Sequence, residues 1–273
     1  MQRARPIVFL SDYGLEDEFV GICHAVIARI SPASPVIDLT HGIPPQDVLR
    51  GALVLARSIP YLPTDAVLLA VVDPGVGTPR RPVAVETSHG KQLLVGPDNG
   101  LMSLAWAERG GVARAFEIAE SKVLLEPVSA TFHGRDIFAP AAAHLAAGVS
   151  VSELGPEVDA ASLAVVQPPF PEVETGRIDA EVFGVDRFGN VQLSAALDDL
   201  ERGGMAGVNR LEVVTPRGTT SVRRAATFGD VTEGEFALIV DSSGRLALVL
   251  NRGSAAEALD LAPGDALTIQ APE

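Results

Sequence analysis

The chain has 273 residues, 47% of them hydrophobic and 21% charged, which supplies a packed core and suits one large domain plus one smaller one. A formal charge of -14 without any cluster of Lys and Arg excludes nucleic acid and acidic membrane surfaces as expected partners. The single cysteine, Cys23, excludes an internal disulfide and a cysteine-rich zinc site, and its place between Val20 and Ile27 fits a small core residue.

Arg3 and Arg5 precede the apolar run Ile7 to Leu10, but Asp12 interrupts it before a signal-peptide core could form. The longest uncharged stretch, Ile137 to Ser152, is too short to span a bilayer. A cytoplasmic protein is expected. Ile7 to Leu10 reads as a buried strand, followed by an amphipathic helix over Leu15 to Ile30 with Glu16, Asp17 and Glu18 at its positive end. Val36 to Leu39 reads as the next strand, Asp47 to Ser58 as a helix, and Ala66 to Val72 as a strand buried on both faces. Pro82 to Glu86 and Gln92 to Val95 read as extended, Gly100 to Arg109 and Ile137 to Ala147 as helical. Alternation of this kind predicts an α/β layered N-terminal domain over 1–166. The run Gln167 to Pro171 starts a stiff connection, taken as a linker over 167–176. Beyond it Arg177 to Val185, Leu211 to Thr215, Phe236 to Val240 and Leu246 to Leu250 predict a smaller, mainly β C-terminal domain over 177–273.

Polar residues gather at the ends of apolar strands, where open α/β sheets place ligands. Asp12, directly after the first strand, suits a vicinal ribose diol, since a carboxylate accepts from both hydroxyls; capping the following helix is the other reading. Asp73 and Arg80 flank the turn DPGVGTPR, either as a structural ion pair or as a charged site, and the run lacks the spacing of a phosphate loop. His133 stands before Gly134, outside the helical repeat, and is a better functional imidazole than His144 within the helix. His24, His41 and His89 read as helix-face, turn and loop residues. In the second half, DRFGN places Phe188 beside Asn190, an aromatic and an amide suited to a purine, although turn chemistry explains the same residues.

Taken in order, SDYG, DLTHGIPPQDV, VVDPGVGTPRR, GPDNG, TFHGRDIFAP, DRFGN and SSGRLALVLNRGSAA resemble the S-adenosylmethionine hydroxide adenosyltransferase family, a relative of the fluorinase and chlorinase, over nearly the whole chain. The resemblance implies hydrolysis of S-adenosylmethionine to adenosine and L-methionine by attack at C5′. It implies Asp73, Arg80 and His133 as the reaction centre, with Arg81 a weaker alternative to Arg80. It implies Asp12 at the ribose, Phe188 and Asn190 at the adenine, Asp186 at the methionine ammonium and Ser242 at its carboxylate. Asn251 and Arg252 fall in the segment whose backbone approaches the adenine. It further implies a homotrimer with inter-subunit sites, and neither a metal nor an organic cofactor.

The halide-using relatives carry a tyrosine where this chain has Asp73 and a tryptophan where it has Gln46, and the fluorinases also carry an extra loop in the N-terminal domain that is absent here. A carboxylate at the nucleophile position is expected to repel halide and orient water. Two other classes compete. Asp12, Asp73, His133 and Asp136 could gather a divalent ion as in a phosphoesterase. The same purine pocket could also serve a non-catalytic nucleoside-binding protein.

Overall fold

The computed structural model describes residues 4–272, so Arg3 lies outside it. Contacts divide the chain into two units, Met1–Val166 and Gln167–Glu273. In the first, β1 (Ile7–Ser11), α1 (Phe19–Ile30), β2 (Val36–Thr40), α2 (Val48–Ser58) and β3 (Val67–Val71) alternate. They are followed by β4 (Pro82–Thr87), β5 (Leu93–Pro97), α3 (Ser103–Glu108), β6 (Val112–Glu117), α4 (Ala139–Ala146) and β7 (Glu157–Val158).

These strands form one seven-stranded sheet in the order β2-β1-β3-β5-β4-β6-β7. The four strands from β2 to β5 run parallel, and β4, β6 and β7 extend the sheet in antiparallel fashion. Side chains of a strand alternate between faces. Accordingly Ile7, Phe9, Val67, Leu69 and Val71 pack with α1 and α4 on one side, while Val8, Leu10, Leu68, Ala70 and Val72 face α2 and α3 on the other. Because both faces are covered, β1, β3 and β5 are wholly buried and apolar, Ser11 at the end of β1 excepted.

The chain leaves β1 toward β2 on one side and returns to β3 on the other, so the sheet reverses its winding between β1 and β3. Ser11 pairs with Val71 in register, which sets the C-terminal ends of these strands side by side at the switch point.

Two expected helices begin elsewhere. α1 starts at Phe19, because Glu16 to Glu18 form a turn ahead of it. The helix expected from Ile137 is preceded by a π-helical turn, Gly134–Phe138, that leads into α4 with Pro140 in its first turn.

The second unit comprises β8 (Glu172–Glu174), β9 (Arg177–Val185), β10 (Val191–Ala196), α5 (Leu197–Arg202), β11 (Arg210–Thr215) and β12 (Gly218–Arg224). β13 (Phe236–Val240), β14 (Arg245–Leu250), α6 (Ala255–Leu259) and β15 (Ala266–Gln270) complete it. Its eight strands run in the order β10-β14-β13-β12-β11-β15-β9-β8, and β10 also pairs with β9, which closes the sheet into a barrel. Ile178, Val182, Leu193, Leu211, Val213, Leu248 and Ile269 fill its interior. β8 falls inside the expected 167–176 connection and pairs with β9, so part of that stretch is sheet.

Candidate active site

Asp73 follows β3 at the switch point, and the turn after it is fixed by its own backbone: Val76 N–H donates to the Asp73 carbonyl at 3.2 Å and the Thr78 hydroxyl to that of Gly75 at 2.6 Å. Asn99 ties down the strand end by donating its amide to the Val72 carbonyl at 2.8 Å. Gly77 takes a φ of +76°, and a Cβ there would stand 2.6 Å from the Ala130 carbonyl oxygen. Only glycine allows this approach, which brings the turn against the segment carrying His133.

Arg80 returns from the turn onto Asp73. Its Nε donates to the two carboxylate oxygens at 2.9 and 3.1 Å, and its Nη2 also meets Oδ2. The same Nη2 lies 2.8 Å from His133 Nδ1. Side-chain exposures of 9% for Arg80 and 6% for Asp73 make this a desolvated pair, stronger than a surface bridge. The guanidinium also sits 5.0 Å from the Phe138 ring centroid. Its Nη1 is buried and meets no hydrogen-bond partner among the described residues. An unpartnered buried donor is costly, so this N–H is free to donate to an added oxygen acceptor.

A guanidinium has no acceptor, so His133 Nδ1 must accept the Arg80 proton and Nε2 must carry its own when the ring is neutral. Burial first, and then the Arg80 charge, hold the His133 pKa below its usual value, while Asp73 and Asp136 act weakly in the other direction. The imidazole is therefore neutral near pH 7. It presents an N–H rather than a lone pair.

Asp12, at the neighbouring strand end, accepts the Gln46 N–H at 2.8 Å. Gln46 adopts a φ of 68°, a left-handed conformation this bond holds in place. Burial raises the Asp12 pKa, the Gln46 bond opposes this, and Asp73 adds to it. Tyr13 packs edge-on to Phe132 at 5.8 Å, and its hydroxyl lies over Gly134, where a Cβ would approach it to 2.1 Å. Burial pushes its phenol well above the ordinary range.

Several sequence expectations change. Arg81 donates to Asp98 at 2.9 Å and to Ser162, which removes it from competition with Arg80. Asp136 is fully buried and taken up by Arg135 at 2.6 Å and the Ser129 N–H at 2.8 Å. Asp73 and Asp136 are thus already neutralised by arginines, which counts against the hard-ligand quartet of a phosphoesterase. Asp73 does not present an uncompensated charge, so simple repulsion by its carboxylate does not by itself exclude halide.

In the second unit, Phe188, Asn190, Phe228, Leu250, Asn251, Arg252 and Gly253 line an open hollow of about 480 Å³. Phe188 is 71% exposed, with the Arg187 guanidinium 5.7 Å from its ring centroid, and Phe228 is 46% exposed, so both rings present apolar surface to the hollow. Asp186 organises the turn: it accepts the Phe188 and Asn190 N–H groups at 2.8 and 3.0 Å and the Asn190 amide at 2.8 Å. One amide proton of Asn190 is thereby committed, leaving its carbonyl and the other proton. Arg252 has a φ of 59° and pairs its guanidinium with Glu233 at 3.0 Å, while Asn251 donates to the Val231 carbonyl at 2.8 Å. Asp186 and Ser242 do not line the hollow. Phe228 was missed in the sequence, where an aromatic inside the polar run ATFGD was its only signal.

Residues 7–155 match the SAM hydroxide adenosyltransferase N-terminal domain and residues 180–268 the C-terminal domain. An (R)-S-adenosyl-L-methionine hydrolase from Salinispora tropica is 49% identical over 268 residues, covering 97% of each chain. A fluorinase from an Actinoplanes species is 27% identical over 288 residues, covering 96% of each. The crystal structure of a conserved protein from Thermotoga maritima superposes with a TM-score of 0.90 at 37% identity, covering 97% of this chain and 100% of that one. By these matches across both units, the chain belongs to the S-adenosylmethionine hydroxide adenosyltransferase family.

Proposed function

We propose that the protein hydrolyses S-adenosyl-L-methionine to adenosine and L-methionine, with Asp73, Arg80 and His133 as the reaction centre. The observation that carries this reading is the Arg80 side chain, which bridges Asp73 and His133 and keeps a buried Nη1 without a partner.

A water-derived oxygen attacks C5′ in line with the sulfonium. The C5′–O bond forms, the C5′–S bond breaks, and its electron pair leaves on sulfur as the neutral thioether of methionine, so the leaving group needs no acid. The water proton passes to solvent. With Nδ1 occupied by Arg80, neutral His133 offers only Nε2–H, which makes it a poor base and a good donor to hydroxide. Arg80 Nη1 is the second donor. Asp73 keeps the guanidinium in place and balances its charge. Holding the nucleophile at the carbon supplies several kcal/mol of the barrier reduction.

Asp12 accepts the ribose hydroxyls, Phe188 and Phe228 stack on the adenine, and Asn190 meets its edge. The backbone of Asn251 and Arg252 borders the same base. Asp186 and Ser242 are assigned to the methionine ammonium and carboxylate on the family resemblance alone. That resemblance also supports a homotrimer, tested by sedimentation equilibrium against the 28.5 kDa chain mass. Among the described residues, no helix is long and apolar enough to cross a membrane, and we place the enzyme in the cytoplasm.

Turnover requires neither metal nor organic cofactor. Chelator-treated protein incubated with S-adenosylmethionine is expected to release adenosine. Loss of turnover restored by a divalent ion would favour the phosphoesterase-like metal centre, and adenosine binding without turnover would favour a nucleoside-binding protein.

A further inference from the structure

Three side chains that the proposed reaction does not use converge beside β2. His24 projects from α1, Asp38 lies on β2, and His41 follows β2. His24 Nε2 lies 2.8 Å from Asp38 Oδ1, and His41 Nε2 lies 3.0 Å from the same oxygen. One ligand atom from each residue falls within 4.8 Å of the others. Donors around a tetrahedral zinc ion stand about 3.3 Å apart, so small side-chain adjustments would place an ion among them.

The His41 ring is built into the fold. Its side chain is only 3% exposed, its Nδ1 lies 2.7 Å from the Ser11 hydroxyl, and it packs edge-on to Phe9 at 4.7 Å. Yet its buried Nε2 makes no directed hydrogen bond, because its approach to Asp38 is close but misaligned. Two imidazoles and one carboxylate suit divalent transition metals better than calcium or magnesium.

We propose that His24, Asp38 and His41 bind one divalent transition metal ion of the zinc class, outside the reaction centre. With its proton on Nδ1 and given to Ser11, His41 turns the Nε2 lone pair to the metal, the arrangement that orients metal-bound histidines. Asp38 and His24, at 41% and 36% side-chain exposure, leave an entry path and an open position for water. His41 also accepts the Gly14 N–H at 2.8 Å through its carbonyl, and Ser11 accepts that of Tyr13 at 3.2 Å. The ion therefore braces the loop that carries Asp12.

The test is titration of chelator-stripped full-length protein with Co²⁺, read by visible absorption, and with Zn²⁺ in competition. One equivalent per chain is expected, with binding weakened on the order of a hundredfold or more by Asp38→Asn or His24→Lys. His24→Lys is the discriminating variant, because it can keep an ion pair with Asp38 while removing the ligand. Unchanged thermal stability without metal, together with loss of the cobalt spectrum, supports the site. No saturable Co²⁺ binding by the wild-type protein, or wild-type binding by His24→Lys, overturns it. Neither result depends on turnover of S-adenosylmethionine.

Discussion

In the N-terminal unit Arg80 bonds to both Asp73 and His133 in a buried cluster, whereas the C-terminal hollow is bordered by the exposed rings of Phe188 and Phe228. Fixed, desolvated charge suits stabilisation of charge that develops during a reaction. Exposed aromatic faces gain most by covering a flat ligand, which is affinity. Under the proposed function the first region is expected to set kcat and the second KM, and substitutions can separate them.

The largest expected effect is that of His133→Ala, which removes a donor from the nucleophile and should lower kcat by roughly 10²- to 10³-fold with little change in KM. Steady-state release of adenosine measures it, and an unchanged kcat removes His133 from the reaction centre. Phe188→Ala should raise KM by roughly tenfold to a hundredfold with kcat nearly intact, since stacking on a base contributes about 1–3 kcal/mol. A fall in kcat alone would break the division.

Gly77→Ala tests whether the turn's close approach assembles the trio. Its Cβ would meet the Ala130 carbonyl, so a stability loss of about 1–2 kcal/mol and a reduced kcat are expected, read by denaturant unfolding and by turnover. Normal stability and rate would show that the approach is not required.

The smallest effect is with pH. His133 has its pKa depressed from 6.5 by burial and by Arg80, so the unfolded chain takes up the proton first as pH falls. Stability is full above about pH 6.5 and declines below it, through the lowered native value. His144, also depressed by burial, acts in the same direction. The rate should hold until pH passes the lowered native value and drop there, at the acidic end of that window, because a protonated His133 cannot accept from Arg80. A kcat that stays constant across that native titration would separate His133 titration from catalysis.

The N-terminal unit was the more legible in sequence. Continuous apolar runs such as Val67 to Val71 announce strands covered on both faces, and the polar residues ending them announce the site. The hydrogen bond between Arg80 and His133 was not legible, since it depends on a turn packing against a segment about fifty residues away. Nor was the role of Asp98, whose pairing with Arg81 removed an ambiguity between adjacent arginines. In the C-terminal unit β12, with the sequence GTTSVRR, shows little apolar alternation because most of its side chains are partly or fully exposed. Barrel closure rests on pairing between β9 and β10, which periodicity within a single strand does not encode.

Hydrolysis at C5′ requires that a water-derived oxygen end up on that carbon. The most direct test is a single turnover in water labelled with heavy oxygen, followed by mass spectrometry of both products. Adenosine is expected to carry the label on its 5′ oxygen and L-methionine to carry none, with chloride leaving this outcome unchanged. Formation of 5′-chloroadenosine in chloride, or adenosine without the label, would contradict it.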